Sequence, residues 1–126
     1  MLKAMLDTNI LIYLSKDYSP ILMRRLMSFR KGEIGISSIV WAEYLVGLYK
    51  NGIEDGNFDR LVQVVSFDAA AANVFAKLTA KYPDRTRGFD RLIAAHAISI
   101  GVKLVTNNVG DFERYLDDGL ALENWM

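Results

Sequence analysis

Residues 3–14, KAMLDTNILIYL, interrupt an apolar stretch with three polar residues in a row, Asp7, Thr8 and Asn9. A short apolar run, residues 2–6, that stops at a carboxylate reads as a buried strand with an acid at its C-terminal end. Thr8 or Asn9 then caps a helix reaching about Ser15, apolar all round, as expected beside a central strand. In an open parallel sheet, the carboxyl edge of the strands is where ligands and reacting groups collect. The same carboxylate would serve equally as a strand terminator or an ordinary helix cap.

Further along, the same alternation recurs. Pro20 suits the first turn of a second helix, with Ile21, Leu22, Leu26 and Phe29 as its apolar stripe, Arg24, Arg25, Arg30 and Lys31 as a basic flank, and Gly32 as its end. Residues 33–36 form a second strand. Ser37 or Ser38 caps a helix over 39–49, ended by Asn51-Gly52. Glu43 shares one face of that helix with Ile39 and Val46. An acid on such a face needs a cation or donors unless it is the helix's solvated position. Residues 52–58 read as a loop, 58–62 as a helical turn, and Val64, Val65 and Phe67 as a third strand. Asp68 is a good cap for an alanine-rich helix over 69–81, stopped by Pro83. After the charged loop 84–88, a helix over 89–100 buries Phe89, Leu92, Ile93, His96, Ala97 and Ile100, with Asp90 in its first turn. Gly101 ends it. Strands at 102–106 and 120–123 complete the series.

Strands alternating with helices predict an α/β fold: a central, mostly parallel sheet of four to five strands with helices on both faces. Right-handed crossovers bring the carboxyl ends of the strands to one edge, where Asp7, Asn108 and Asp111 meet. Glu43 and Asp90 lie in the first halves of their helices. At 126 residues and 52% hydrophobic, one domain over residues 1–126 with a filled core is expected. Neither a signal-peptide core nor an apolar run long enough for a membrane span occurs, so a soluble, cytoplasmic protein is expected.

Converging carboxylates, no cysteine and a single histidine suit a hard divalent cation, Mg²⁺ or Mn²⁺. Such an ion lowers the pKa of a bound water and orients in-line attack on phosphorus. Serine or cysteine hydrolysis fits less well, for there is no Gly-x-Ser-x-Gly elbow. His96 falls on the buried stripe and is expected to be structural. The net charge is zero, so nucleic acid would have to be held by a local patch. Lys77, Lys81, Arg85, Arg87 and Arg91 flank Asp90, with Tyr82 and Phe89 interleaved for base stacking. A solvated loop with core aromatics is the plainer account of the same residues.

Taken together, these residues resemble the PIN-domain ribonucleases, and within them the VapC-type toxins of type II toxin–antitoxin pairs. MLDTNILIYL resembles the family's opening motif, SSIVWAEYLVGL the second, GFDRLIAAHAISIG the third and LVTNNVGDF the fourth. The resemblance spans essentially the whole chain and implies a PIN-like three-layer sandwich. It implies metal-ligand roles for Asp7, Glu43 and Asp90, with Thr8, Asn9, Ser37, Thr106 and Asn108 as orienting groups. The fourth motif departs from the common Thr-Asn-Asp form, because Asn108 carries no charge; Asp111, three positions on, is implied to support the site in its place. The implied activity is a metal-dependent endoribonuclease acting on tRNA or ribosomal RNA, with Lys81, Arg85, Arg87 and Arg91 holding the substrate. A cognate VapB-type antitoxin, covering the helices near residues 21–29 and 39–49, and a homodimer are the implied partners; DNA would be reached only through the antitoxin.

Rival readings differ at identifiable residues. A haloacid-dehalogenase-type phosphatase needs an aspartate where this chain has Asn9. Receiver-like domains present paired acids that are missing here. A degenerate PIN domain acting only as a binding module is favoured by Asn108 and would be set apart by loss of divalent-metal binding.

Overall fold

The computed structural model describes residues 1–16, 19–53, 62–85 and 88–126. Five parallel strands form one sheet in the order β3-β2-β1-β4-β5. They are β1 (Ala4–Leu6), β2 (Ile34–Ser37), β3 (Gln63–Val65), β4 (Lys103–Val105) and β5 (Leu122–Glu123). The helices are α1 (Thr8–Ser15), α2 (Pro20–Met27), α3 (Ser38–Lys50), α4 (Ala69–Lys81), α5 (Asp90–Ile100) and the single turn α6 (Val109–Phe112), followed by a 3₁₀ turn over Glu113–Asp118. The first strand in sequence is thus the central one, and all three of its residues are buried.

From β1 the chain steps outward to β2 and β3, then returns past β1 to β4 and β5. Right-handed crossovers in opposite directions put α1–α3 on one face of the sheet and α4–α6 on the other. The contacts agree: α1 packs on α3, and the α4–α5 contact is the most extensive between any two elements. The core joins Met5, Leu6, Ile10, Leu11, Leu22 and Ile36 with Ile93, Leu104, Phe112 and Tyr115. Strand β2 can lie close to its neighbours because Gly35 lacks a side chain: a Cβ there would meet Leu2 Cδ1 at 2.8 Å and the Gln63 carbonyl at 3.0 Å. Gly101, at φ +80°, turns the chain from α5 into β4.

Several boundaries differ from expectation. Asp7, not Thr8 or Asn9, caps α1: its carboxylate accepts from the Thr8 N–H at 2.7 Å. Helix α2 stops at Met27, and Ile21 on its expected buried stripe is exposed, whereas Leu22 and Leu26 are buried. Ser37 rather than Ser38 caps α3, accepting from Ile39 N–H at 3.1 Å. Asp68 caps α4 as expected. On α5, Phe89 and Ile100 are exposed, while Ala94, Ala95 and Arg91 are buried. The middle of this helix is enclosed nearly all round, by α4 and by its contacts with α3, β4 and α6, so a single buried stripe understates it. Phe67 lies beyond the end of β3 and packs edge-on against His96. The expected helical turn at 58–62 falls almost wholly outside the described residues. Among the described residues no helix is long and apolar enough to cross a membrane.

Candidate active site

The sheet reverses direction between β1 and β4, and a crevice opens beyond their carboxyl ends at such a reversal. Asp7 follows β1 there and Thr106 follows β4. The ladder runs one residue past β1, with the Asp7 N–H donating to the Val105 carbonyl at 2.9 Å. Asp7 is 4% exposed. One of its carboxylate oxygens accepts from the Thr8 N–H, the other from the Thr106 hydroxyl at 2.9 Å. The Thr106 oxygen in turn accepts from the Asn108 N–H at 2.9 Å. Thr8 turns its own hydroxyl to Glu43 Oε1 at 2.9 Å, joining α1 to α3. One continuous chain of hydrogen bonds therefore runs from Asn108 through Thr106, Asp7 and Thr8 to Glu43.

Electrostatics extend this group to Asp90 and Asp111. Burial raises the Asp7 carboxyl above its ordinary value, against the two hydrogen bonds that favour its charge, and Asp111 raises it further. Glu43 is raised by burial and then by Asp7, with the Thr8 hydroxyl opposing. Asp90 moves furthest, to about 6, through burial and then the charges of Asp7, Asp111 and Glu43. No cation figures among the charges acting on these three acids. Four carboxylates thus share one region, with Arg85 and Arg114 at the cavity beside Asp90 and Asp111. The donors are all oxygen, and Asp7 is already oriented by two donors. Among the described residues, no three acidic or imidazole side chains close into a ready-made ligand cage. The all-oxygen donor set is of the kind that fits Mg²⁺ or Mn²⁺, whose coordination is completed by waters and substrate phosphate.

The remaining expected site residues divide. Ser37 is fully buried and bonded to His96, with 2.7 Å between Oγ and Nδ1, while also capping the helix that carries Glu43. His96 is buried, held below its ordinary pKa by desolvation, and bonded also by the Ser66 backbone, a structural position as expected. Asn9 makes no side-chain hydrogen bond among the described residues.

Among the expected RNA-binding cations, Arg91 is corrected. Its side chain is 4% exposed, with Nε donating to the Tyr115 hydroxyl at 3.1 Å and Nη2 to the Asp84 carbonyl at 3.4 Å. A guanidinium turned inward under Tyr115 supports the fold rather than a free basic surface. Lys81 is exposed but paired with Asp118 at 2.7 Å. Arg85 lines a cavity of about 300 Å³ together with Asp84, Asp90, Asp111, Arg114 and Tyr115. Arg87 lies outside the described residues. Arg114 and Tyr115 escaped the sequence reading because their partners sit 24 to 30 residues away, and nothing local in GDFERYL marks them.

A second hollow, about 370 Å³, runs between α1 and α3 from Glu43 past Ile12, Tyr44 and Leu48 to Ile53. Its walls are mainly apolar.

A family model described as PIN domain matches residues 4–116. The chain is 37% identical over 134 residues to the tRNA(fMet)-specific endonuclease VapC of Shigella flexneri, covering 99% of each. It is 33% identical over 135 residues to the protein of the same name from Salmonella typhimurium, again covering 99% of each. Among solved structures, that of DNA-bound VapBC from Salmonella typhimurium superposes with a TM-score of 0.85 at 30% identity, covering all of both chains.

Proposed function

This chain belongs to the PIN domain family, and from that membership we propose that it is a divalent-metal-dependent endoribonuclease toxin that cuts tRNA and is silenced by a cognate antitoxin. The observation that carries the reading is the acid group at the carboxyl edge of the sheet: Asp7, Glu43 and Asp90, each raised by burial and by the charge of acidic neighbours, with Asp111 among those neighbours. Both relatives named above carry tRNA(fMet) endonuclease activity in their names, which supports tRNA as the substrate class.

Asp7, Glu43 and Asp90 would hold Mg²⁺ or Mn²⁺. When bound, the ion supplies a water of lowered pKa and polarises a phosphoryl oxygen. The chain's own residues prepare that site. The Thr8 N–H and the Thr106 hydroxyl fix both oxygens of Asp7, so it needs little reorganisation to act. The Thr8 hydroxyl fixes one oxygen of Glu43, and no donor among the described residues bonds the other. Asp111 adds negative charge close to Asp7 and Asp90 and makes up for the neutral Asn108.

The antitoxin would lie in the apolar hollow between α1 and α3, whose end at Glu43 gives an occupant direct access to the acids. The likeness to a DNA-bound VapBC structure supports an antitoxin partner, through which DNA contact would come.

The test is cleavage of a tRNA pool containing tRNA(fMet). With Mg²⁺ or Mn²⁺ the protein cuts; EDTA abolishes cutting; Asp7→Asn reduces the rate on the order of 100-fold or more. Cutting that survives the substitution defeats the assignment of Asp7. RNA bound but uncut, with titration showing no divalent-metal binding, gives a binding module instead.

A further inference from the structure

The cavity beside Asp90 and Asp111 holds an unusual charge arrangement. The Asp84 carboxylate lies between two guanidiniums. Arg114 Nη1 donates to both of its oxygens, at 3.0 and 2.8 Å, and Arg91 Nη2 is 3.6 Å from Oδ1. Arginine pairs of this kind hold a phosphate in the same way, by several parallel N–H···O contacts. Arg91 is buried and anchored to Tyr115 and the Asp84 carbonyl, so its charge is fixed behind Asp84 and Tyr115, two of the residues that line the cavity. Arg114 is 43% exposed, yet its guanidinium lies 5.3 Å from the ring centre of Tyr82 and 6.0 Å from that of Tyr115, which confines it. Arg85 opens onto the same space and makes no ion pair among the described residues.

We propose that Arg114 and Arg85, over the buried Arg91, form the subsite for an RNA backbone phosphate next to the acids, and that Asp84 occupies it in the free protein. The proposal rests on the nuclease reading above and adds what brings a polyanion to an acidic site. Asp84 is suited to yield. Its pair with Arg114 is exposed on both sides, 52% and 43%, and such pairs are screened and contribute little. An arriving backbone phosphodiester matches the carboxylate in charge and fork geometry, and it comes as part of a polyanion whose neighbouring phosphates add their own attraction, so it displaces the carboxylate toward solvent. No atom of the chain need move far, and no covalent step is involved.

An unusual prediction follows: removing Asp84 improves binding. With tRNA and Mg²⁺, Asp84→Asn lowers KM about threefold or more with kcat held. Arg114→Gln raises KM about tenfold and flattens the salt dependence of binding by about one phosphate contact. Asp117→Asn, an equal loss of charge at an exposed position outside the cavity, leaves KM unchanged. In the Arg114→Gln background, the gain from Asp84→Asn disappears. A gain cannot arise from misfolding, so Asp84→Asn protects the test if Arg114→Gln folds poorly. If Asp84→Asn improves KM no more than Asp117→Asn, or its gain persists without Arg114, the subsite falls while the nuclease reading stands. If the protein binds tRNA without cutting, the nuclease reading falls and the same ratios are read from Kd. If it neither binds nor cuts, both fall.

Discussion

Asp90 keeps its proton to about pH 6 because burial and three neighbouring acids penalise its charge. In the unfolded chain it ionises at the ordinary carboxylate value. Between those two points the folded state binds the extra proton, so stability falls as pH rises through the window. In metal-free protein, Asp90→Asn should therefore raise the melting temperature at about pH 7.5, and the advantage should shrink as pH falls toward about 5. Added Mg²⁺ should reverse the order, stabilising the natural protein and not the variant, since a ligand stabilises only the state that binds it. Differential scanning fluorimetry with EDTA and with Mg²⁺ reads both effects. At this scale the three acids were legible because each stands at a fixed place in a motif. Arg91 was not. Its position next to Asp90 in a run rich in basic residues suggests solvent, and only the packing of Tyr115 against α5 shows that it points inward.

Helix ends in this fold are made from site residues. Asp7 caps α1 and Ser37 caps α3, so each cap also sets where an acid sits. Ser37→Ala removes a cap worth about 1 kcal/mol and strips buried His96 of a partner, adding about 1–3 kcal/mol. It should therefore destabilise more than Asp68→Ala, which removes the cap of α4 at about 1 kcal/mol and takes no hydrogen-bond partner from His96. It should also lower cleavage, through the displaced Glu43 helix, whereas Asp68→Ala should leave cleavage intact. Urea denaturation with parallel cleavage assays separates the two. The order of strands and helices was readable from periodicity and turn residues, as were Pro20 and Gly101 at their helix ends. The choice among adjacent polar residues for a cap was not. Asp7, Thr8 and Asn9 are all competent caps, and the winner is decided by where β1 ends, which the neighbouring strands determine.

Across the molecule, distant segments hold one another. Trp125 is 3% exposed, stacks on Phe29 at 5.4 Å, lies under the Arg25 guanidinium and donates its indole N–H to Glu123 at 2.9 Å. Glu123 also pairs with Arg25 and Lys103, so this corner fastens α2 to β4 and β5. Trp125→Ala should cost about 3–5 kcal/mol of stability, with kcat unchanged at temperatures where the variant is folded; urea melts and cleavage rates check it. No local pattern announces such a corner, because Arg25 and Glu123 are 98 residues apart. The hydrogen bond from Thr106 to Asp7 spans 99 residues, and it has a consequence for timing. While the chain is being made, its opening acid exists long before the hydroxyl that orients it. Until β4 arrives, the central strand also lacks its neighbour on that side. A half-made chain therefore carries the acid without its holder. Under the activity proposed above, cutting of the tRNA that translation itself uses, this delays the action until synthesis is nearly finished.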